Sequence, residues 1–509
     1  MNTINTQTST ARKGAEFSTD KAFMESSILV RSDASGLEYS GIPLDVSPSG
    51  GNEYATSKRE LHAFIVGDTG CGKTRRLIIP SIRLIGKSGE SMVISDPKGE
   101  LYRKTSGGLK AHGYDIIVVN MRSPGRGQRW NPFAEVEKLY HAEGDENHDR
   151  AMLLIEDIVE VIHAPNRSDR DPYWDNIAVQ YIKALIFMIL KYGEGLSFGA
   201  IADLDKNLSR IMTNKRRSKQ LLDFMASLDD YSPIKENMSA IADLVKGGVG
   251  STLGCALSEA KMIISQYTRQ LTIRRLLETS DFDISDIGRK PTALYIILPD
   301  DSEALYPIAT LMVKQIYSSL INDADEKGGM LDNRVSFILD EFSNFTRLEA
   351  IGSMLTASRS RGIRFVLVCQ NVGQLEEKYG KYGAETIRAN CRVWVYMGCR
   401  NLEFLKMLQE LSGIHVEKYG GGIYPLMDID MLQRLAAGEV FVWNDRCSPK
   451  LCHLPDCSEY DFGSDDTAEV DLPPYRENDN SVSCDIPRVL FWYARNPLDD
   501  IEDDEDEDE

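Results

Sequence analysis

The stretch that decides the fold is LHAFIVGDTGCGKT, which runs from Leu61 to Thr74. Its first six residues are mostly apolar and predict a buried strand. The next eight match the phosphate-binding pattern G-x-x-x-x-G-K-[ST], and the residues from Arg75 to Ile85 predict a helix up to or around Pro80. Strand, glycine-rich loop and helix in this order are the context that the pattern requires, so the sequence predicts a P-loop in an α/β domain.

The loop contains the residue types that bind nucleotide phosphates. Its glycines let backbone N–H groups curl around the phosphates, and the N-terminus of the following helix adds a favourable dipole. Lys73 is expected to reach the β- and γ-phosphates of ATP, and the Thr74 hydroxyl is expected to ligate Mg²⁺. The predicted nucleotide-binding residues are Gly67, Asp68, Thr69, Gly70, Cys71, Gly72, Lys73 and Thr74.

Eight short apolar runs, each bounded by Gly, Pro or Asp, predict the strands of this domain. Continuous runs of this length suit strands that are buried on both faces, and therefore a mostly parallel sheet covered by helices. The runs are Leu61–Val66, Met92–Ser95, Asp115–Val119, Ala293–Leu298, Val335–Asp340, Arg364–Cys369, Cys391–Met397 and Glu439–Trp443.

More than 170 residues separate the third and fourth of these runs. Their apolar residues recur at helical spacing, as in Ala151, Ile155, Ile158 and Ile162. The sequence therefore predicts an all-α domain at 142–288, inserted into an α/β domain formed by 27–141 and 289–460.

The two ends of the chain differ in composition from the rest. Residues 1–26 are rich in Thr, Ser and Asn and are predicted to be disordered. Residues 461–509 are predicted to form a disordered acidic tail, and residues 499–509 alone carry half of the formal net charge of −20. The body is acidic as well, which argues against a protein that coats nucleic acid through bulk charge, although a local basic channel stays open.

The densest basic cluster lies in the predicted insertion. It could contact DNA or form an ordinary solvated surface. Its members are Arg210, Lys215, Arg216, Arg217 and Lys219.

Neither a signal peptide nor a membrane-spanning segment is indicated. The longest fully uncharged apolar run in the middle of the chain, Ala184–Leu190, has seven residues, whereas a spanning helix needs about 20. Nine scattered cysteines are typical of reduced intracellular thiols. These features predict a cytoplasmic protein that is at most peripheral to a membrane.

A P-loop needs an acidic partner on another strand, and the run ending at Leu339 supplies Asp340 and Glu341. Asp340 would hold the Mg²⁺ shell, and Glu341 would polarise the attacking water. The next strand ends in Gln370, which could sense the γ-phosphate or place the water, or could simply end the strand in a turn.

Two arginines, Arg359 and Arg361, close the helix between these two strands. On residue type alone they are ordinary charges near a helix C-terminus.

Five motifs in this order resemble the type IV coupling proteins of conjugation and type IV secretion, the TraG/TraD-like family. DPKGEL is the most discriminating of them, and the resemblance covers about 60–445. The motifs are GDTGCGKT (67–74), SDPKGEL (95–101), WNPF (130–133), FILDEF (337–342) and the stretch from ASR (357–359) to CQN (369–371).

The resemblance implies a RecA-like P-loop ATPase domain interrupted by an all-α domain. It also implies a homo-hexameric, DNA-dependent ATPase that uses ATP and Mg²⁺ and pumps DNA. The implied partners are single- or double-stranded DNA, relaxase and relaxosome proteins, and the components of a type IV secretion channel. The implied roles are nucleotide ligands for Lys73 and Thr74, catalytic acids for Asp340 and Glu341, a sensor for Gln370, and a trans-acting arginine finger for Arg359, with Arg361 as its competitor.

One feature departs from the family pattern. Many members begin with transmembrane helices, and the first 60 residues here contain none. We therefore expect either a small membrane anchor protein as partner or a motor recruited to the inner face of the membrane.

Three alternatives remain at this stage. One is a receptor or adaptor that selects protein substrates without moving DNA. Another is a DNA motor of the FtsK/HerA group, which should lack DPKGEL and the large insertion. The third is a protein-unfolding ATPase, which would need a helical lid after Trp443.

Overall fold

The apolar runs form strands in the computed structural model, which describes residues 14–58, 60–167, 172–214, 217–248, 250–416, 422–463 and 468–472. All eight predicted strands are present. In chain order the strands are β1 Ile28–Arg31, β2 Pro43–Val46, β3 Glu53–Thr56, β4 Ala63–Val66, β5 Ser91–Asp96, β6 Asp115–Asn120, β7 Thr292–Ile297, β8 Val335–Leu339, β9 Ile363–Cys369, β10 Val393–Tyr396, β11 Ile414–Val416, β12 Ile423–Pro425, β13 Glu439–Asn444 and β14 Lys450–His453.

Nine of these strands form one sheet in the order β14-β13-β10-β4-β9-β8-β5-β7-β6. The seven strands from β10 to β6 are parallel. At the other edge β13 runs antiparallel to β10, and β14 antiparallel to β13. The α/β fold with a mostly parallel sheet is confirmed, and β9 lies between the P-loop strand β4 and the acidic strand β8.

Helices pack on both faces of the sheet, where they enclose two apolar cores, and others fill the long stretch between β6 and β7. They are α1 Asp20–Ser26, α2 Ile79–Gly86, α3 Glu100–Ala111, α4 Ala134–Tyr140, α5 Asp145–His163, α6 Pro172–Tyr192, α7 Phe198–Thr213, α8 Ser218–Ser227, α9 Pro233–Lys246, α10 Gly250–Thr268, α11 Leu271–Leu276, α12 Tyr306–Glu326, α13 Ile351–Ser358, α14 Val372–Asn390, α15 Leu402–Ser412 and α16 Ile429–Gln433.

Side chains of β4 alternate between two apolar cores, as the two-residue period of a strand requires. Phe64 and Val66 belong to the core that the long helices cover, whereas Ala63 and Ile65 belong to the core under α2 and α3. All four are buried, which explains why the run is apolar throughout.

Helices α5 to α11 occupy the stretch predicted as an inserted all-α domain. Their apolar core is continuous with that of the sheet, since Ile155 and Leu185 share one cluster with Phe64 and Phe337. The predicted boundary of the insertion therefore stays a prediction.

The predictions for the two termini need correction. Residues 20–26 form α1, capped by Thr19 and anchored by the buried Phe23, so the predicted N-terminal disorder is wrong there. Within the predicted tail, Phe462 is buried and Val470 and Leu472 pack on the core, because apolar residues separate the first acidic ones. Residues 1–13 and 473–509 lie outside the described residues.

Across the ranges that the structure describes, none of the helices is both long enough and apolar enough to span a membrane.

Candidate nucleotide site

The P-loop connects the carboxyl end of β4 to a helix, as predicted. Gly70 and Gly72 have φ values of 85° and 94°, in the left-handed region that favours glycine. A Cβ on Gly67 would lie 2.5 Å from Cys71 Sγ, so a larger residue there would force the Cys71 side chain to move. The loop therefore depends on the spacing of its glycines.

The helix after the loop starts with an unusually wide turn. Over Lys73–Ile78 the pitch is that of a π-helix, and the N–H of Ile79 bonds to the carbonyl of Thr74, five residues earlier. Pro80 follows and lacks an N–H for the carbonyl four residues before it, so the change of pitch falls where an α-helix could not be regular. The helix then continues as α2.

Lys73 is buried, and its amine is folded back on the loop. Nζ donates to the carbonyl oxygen of Gly67 and, at 3.1 Å, to that of Asp68. The amine is thus satisfied by neutral backbone acceptors that a phosphate could replace.

Asp340 and Glu341 face the P-loop from the end of β8. Burial, reinforced by the neighbouring Glu341, raises the pKa of Asp340 to about 7, and the positive charge of Lys73 opposes this rise. Glu341 has the left-handed backbone angles φ 52° and ψ 41°, which are uncommon for a residue with a Cβ. Its Oε2 accepts a hydrogen bond from Asn344 Nδ2 at 3.2 Å.

Gln370 connects the P-loop to Glu341. Its Nε2 donates to Glu341 Oε1 at 2.7 Å, and its Oε1 accepts from the Thr69 hydroxyl at 3.1 Å. These two contacts place Gln370 in the site, and its role as a sensor stays a prediction.

Sequence reasoning missed the contribution of β5 and the turn after it. Asp96 is buried at the end of β5 and accepts a hydrogen bond from the N–H of Tyr102 at 2.8 Å, which fixes the start of α3. Lys98 and Glu100 of that turn line the same cleft as Lys73. In the sequence DPKGEL indicates only a family, although an acidic residue at the end of β5, which neighbours the acidic strand β8, could have suggested a place in the site.

Arg359 and Arg361 lie at the opposite end of the sheet. They precede β9, whereas Gln370 follows it, and the seven residues of β9 span about 20 Å. Arg361 is held by Asp325, with Nε and Nη2 each 3.1 Å from Oδ1. Arg359 is exposed, and within the described part of the chain no hydrogen bond or ion pair engages its guanidinium.

The basic cluster of the insertion is only partly described. Arg210 lies in the last turn of α7 and is exposed, and Lys219 is exposed on α8. Lys215 and Arg216 lie outside the described residues, so a DNA contact there stays a prediction.

The cleft suits a nucleoside triphosphate with a divalent cation. A glycine loop and a helix start face one side, and the Thr74 hydroxyl and the Asp340 carboxylate supply the hard oxygen ligands that Mg²⁺ prefers. The buried Asp340 carboxyl group, with Glu341 next to it, is an environment that a bound cation would relieve.

Comparison with known proteins agrees with this geometry. The sequence model of the family "Type IV secretory system Conjugative DNA transfer" matches residues 19–416. Among curated proteins, the conjugal transfer protein TraG of Escherichia coli is 26% identical over 364 residues, covering 69% of this chain and 55% of TraG. VirD4 of Agrobacterium fabrum (strain C58 / ATCC 33970) is 24% identical over 376 residues, covering 72% of this chain and 51% of VirD4. The chain therefore spans about half the length of these curated relatives.

The fold is similar to that of the plasmid coupling protein TrwB. A TrwB structure with the non-hydrolysable ATP analogue ADPNP has a TM-score of 0.55 at 17% identity, covering 87% of this chain and 94% of TrwB. A second TrwB structure, with ADP and Mg²⁺, has a TM-score of 0.52 at 18% identity, covering 82% and 87%. Since the family's sequence model matches well over half of the residues, this chain belongs to the conjugative DNA-transfer family of type IV secretion systems.

Proposed function

We propose that this protein is an ATP-driven DNA translocase that acts as a conjugative coupling protein. It would deliver relaxase-bound single-stranded DNA to a type IV secretion channel. Family membership supports the role in conjugation. The hydrogen-bonded path from Thr69 through Gln370 to Glu341 is the observation that supports an active motor rather than a passive nucleotide-binding protein.

ATP would bind with its phosphates in the P-loop. The Lys73 amine, now bonded to two loop carbonyls, would exchange these acceptors for β- and γ-phosphate oxygens. Thr74 and Asp340 would hold Mg²⁺, which when bound neutralises charge on the phosphates. The TrwB complexes with ADPNP and with ADP and Mg²⁺ support this assignment by likeness of fold.

Glu341 would orient the attacking water for in-line displacement. Its carboxylate is held by two amides, from Gln370 and Asn344, so that its direction is set before ATP arrives. Because Gln370 also contacts Thr69 in the P-loop, loss of the γ-phosphate would change the contact at Thr69, and Gln370 would transmit this change to Glu341. Gln370 would therefore act as the sensor.

The active form would be a homo-hexamer in which Arg359 completes the site of a neighbouring subunit. Arg359 lies about 20 Å of strand away from its own P-loop, so it cannot serve that site. Arg359 is exposed and has no hydrogen-bond or ion-pair partner in the described chain, whereas Arg361 forms an ion pair with Asp325. Hydrolysis would then depend on assembly.

The partners follow from this role. They would be DNA, a relaxase with its relaxosome, the channel, and a small membrane anchor protein or another means of recruitment to the inner face of the membrane.

A second candidate is a receptor that binds ATP and selects protein substrates without moving DNA. The formal net charge of −20 favours it, because an acidic surface attracts basic protein segments and repels phosphate.

Stimulation by DNA separates the two candidates. Steady-state ATP hydrolysis would be measured with and without single-stranded DNA, with Glu341→Gln as the inactive control. A translocase predicts a higher rate with DNA. A rate that DNA leaves unchanged would contradict the translocase and favour the receptor.

A further inference from the structure

Glu341 has a backbone conformation that only its surroundings can maintain. Its left-handed angles, φ 52° and ψ 41°, are strained for a residue with a Cβ. Such a conformation persists where neighbouring contacts over-determine it. Whatever fixes the turn after Glu341 therefore also sets the direction of its carboxylate.

Lys378 of α14 holds that turn. Its Nζ donates to the carbonyl oxygens of Ser343 and Phe345, which follow Glu341 closely in the chain. Lys378 is half-buried, and burial lowers the pKa of its amine, with Glu303 opposing this shift. Hydrogen bonds from an ammonium group to carbonyls are stronger than neutral ones, and partial burial strengthens them further.

The next residue, Tyr379, holds the same turn through its ring and its hydroxyl. The ring stacks on Phe342 with centroids 6.2 Å apart and an interplanar angle of 12°. Its hydroxyl oxygen accepts a hydrogen bond from the N–H of Leu348 at 3.1 Å. Two consecutive residues of α14 thus fix the whole turn between Phe342 and Leu348.

The start of α14 follows directly from the glutamine that touches Glu341. Gln370 stands just before the helix, which begins at Val372 and is broken at Gly380, where φ is 70° and ψ is 165°. The segment up to Tyr379 is therefore a short helix of its own. Gln370, before one end of this segment, contacts Glu341 itself, and Lys378, at the other end, contacts the turn that follows Glu341.

The geometry points to Lys378 as a positioning residue for ATP hydrolysis, an assignment that rests on the proposed function. It acts through the carbonyls of Ser343 and Phe345, which keep Glu341 in its left-handed conformation. Without these two hydrogen bonds the turn relaxes toward an ordinary backbone conformation, and the carboxylate moves away from the water that it orients. A misplacement of about 1 Å in a catalytic group can cost on the order of a hundredfold in rate.

Lys378→Met tests this assignment, because methionine keeps most of the apolar stem and removes the charge and the donors. Its matched control is Lys381→Met, an exposed lysine just beyond the break at Gly380. We expect kcat to fall by roughly ten- to a hundredfold in Lys378→Met while KM and the affinity for ADPNP stay within about twofold. Lys378→Arg should recover part of the loss, since a guanidinium can donate to two carbonyls.

Two results would overturn the assignment while the wild type hydrolyses ATP. One is an unchanged kcat in Lys378→Met. The other is a loss of ADPNP affinity in step with kcat, which would indicate a general structural role. A wild type with no turnover above Glu341→Gln would overturn the proposed function itself, and this assignment with it.

Discussion

The two ends of the parallel strands differ in how their polar groups are satisfied. At the carboxyl ends, Lys73, Gln370 and Glu341 bond to one another or to loop backbone, and all three line an open cleft. At the amino ends, Arg364 is only 2% exposed and is bonded to Glu90 at 3.0 Å. Polar groups at the first end can exchange their partners for a ligand, whereas those at the second end are committed to the fold.

Arg359, which precedes β9 by a few residues, differs from Arg364 in this respect. It is exposed beside buried and paired neighbours, and within the described chain it has no partner. An arginine finger that serves a neighbouring subunit needs an exposed guanidinium that its own chain does not engage, because it stabilises charge on a phosphoryl group in another subunit's site. Under the proposed function, the carboxyl ends of the strands carry the chemistry of the subunit's own site, and Arg359 contributes to the site of a neighbour.

The largest expected effect comes from removing the exposed arginine. Arg359→Ala should lower ATP turnover by about a thousandfold or more, since the finger stabilises charge on the transferring phosphoryl group. ATP affinity of each subunit should stay nearly unchanged, as measured with a fluorescent ATP analogue. Arg361→Ala is the control, because Arg361 already forms an ion pair with Asp325 of its own chain. Equal losses of turnover in the two variants would remove the distinction between them.

At the other end of the sheet, Glu341→Gln should lower turnover by roughly a hundred- to ten-thousandfold. The amide keeps an oxygen that can accept from Gln370, so the turn should survive and ATP should remain bound. Bound nucleotide and phosphate release would both be followed. Glu349→Gln, an exposed glutamate of the same loop that pairs with Arg347, should leave turnover unchanged. Rapid phosphate release from Glu341→Gln would be inconsistent with its assigned role.

A smaller effect, on stability, should come from His62 at the amino end. Its Nδ1 accepts from the N–H of Phe365 at 2.9 Å, and its Nε2 lies 2.8 Å from the carbonyl oxygen of Leu355, so the ring is held neutral. Burial lowers the pKa of His62 to about 4. In the unfolded chain the pKa of His62 is about 6.5, so below this pH the unfolded chain binds a proton at His62 and the folded chain does not. The free energy of unfolding therefore falls as the pH falls from about 6.5 to about 4.

His62→Gln should remove this dependence on pH. Between about pH 7.5 and pH 5 the wild type should lose about 2 kcal/mol more unfolding free energy than the variant. Urea titrations at both values measure the difference, with the exposed His141→Gln as control. Parallel losses in wild type and His62→Gln would indicate that His62 titrates normally in the fold.

The smallest expected effect is at the rim of the cleft. Arg75 lines the cleft, and its Nε donates to Asp456 Oδ2 at 2.8 Å, although the Arg75 side chain is 49% exposed. Exposed pairs contribute at most about 1 kcal/mol, so Asp456→Asn should change KM for ATP by less than about fivefold. A much larger change would mean that this pair controls access to the P-loop.

How much the sequence could predict depends on how local each signal is. The signals for the strands and the P-loop lie in consecutive residues, so the glycine loop and the eight strands formed by the apolar runs were all predicted. Gln370 was predicted as a candidate because it ends the strand that follows the acidic strand in the chain. Asn344 and Lys378 could not be found, since their roles come from contacts that only the folded turn creates. The order of the strands in the sheet could not be predicted either, because β5 pairs with β7 and β8, which lie far from it in the sequence.

The ends of the chain show the same limit. Composition predicted disorder for residues 1–26 and 461–509, whereas Phe23 and Phe462 are buried. A single aromatic residue can anchor a polar segment when the fold offers a pocket for it. Average composition does not record such a contact.

The central claim is that each active site combines Glu341 of one subunit with Arg359 of its neighbour. Mixing the Glu341→Gln and Arg359→Ala proteins in equal amounts tests it most directly, because an intact pair forms where the first variant offers its arginine to the second. Each variant alone should be inactive, and the mixture on single-stranded DNA should recover about a quarter of wild-type turnover if subunits mix at random and the sites act independently. A mixture as inactive as its components, although the two variants co-assemble, would contradict the claim.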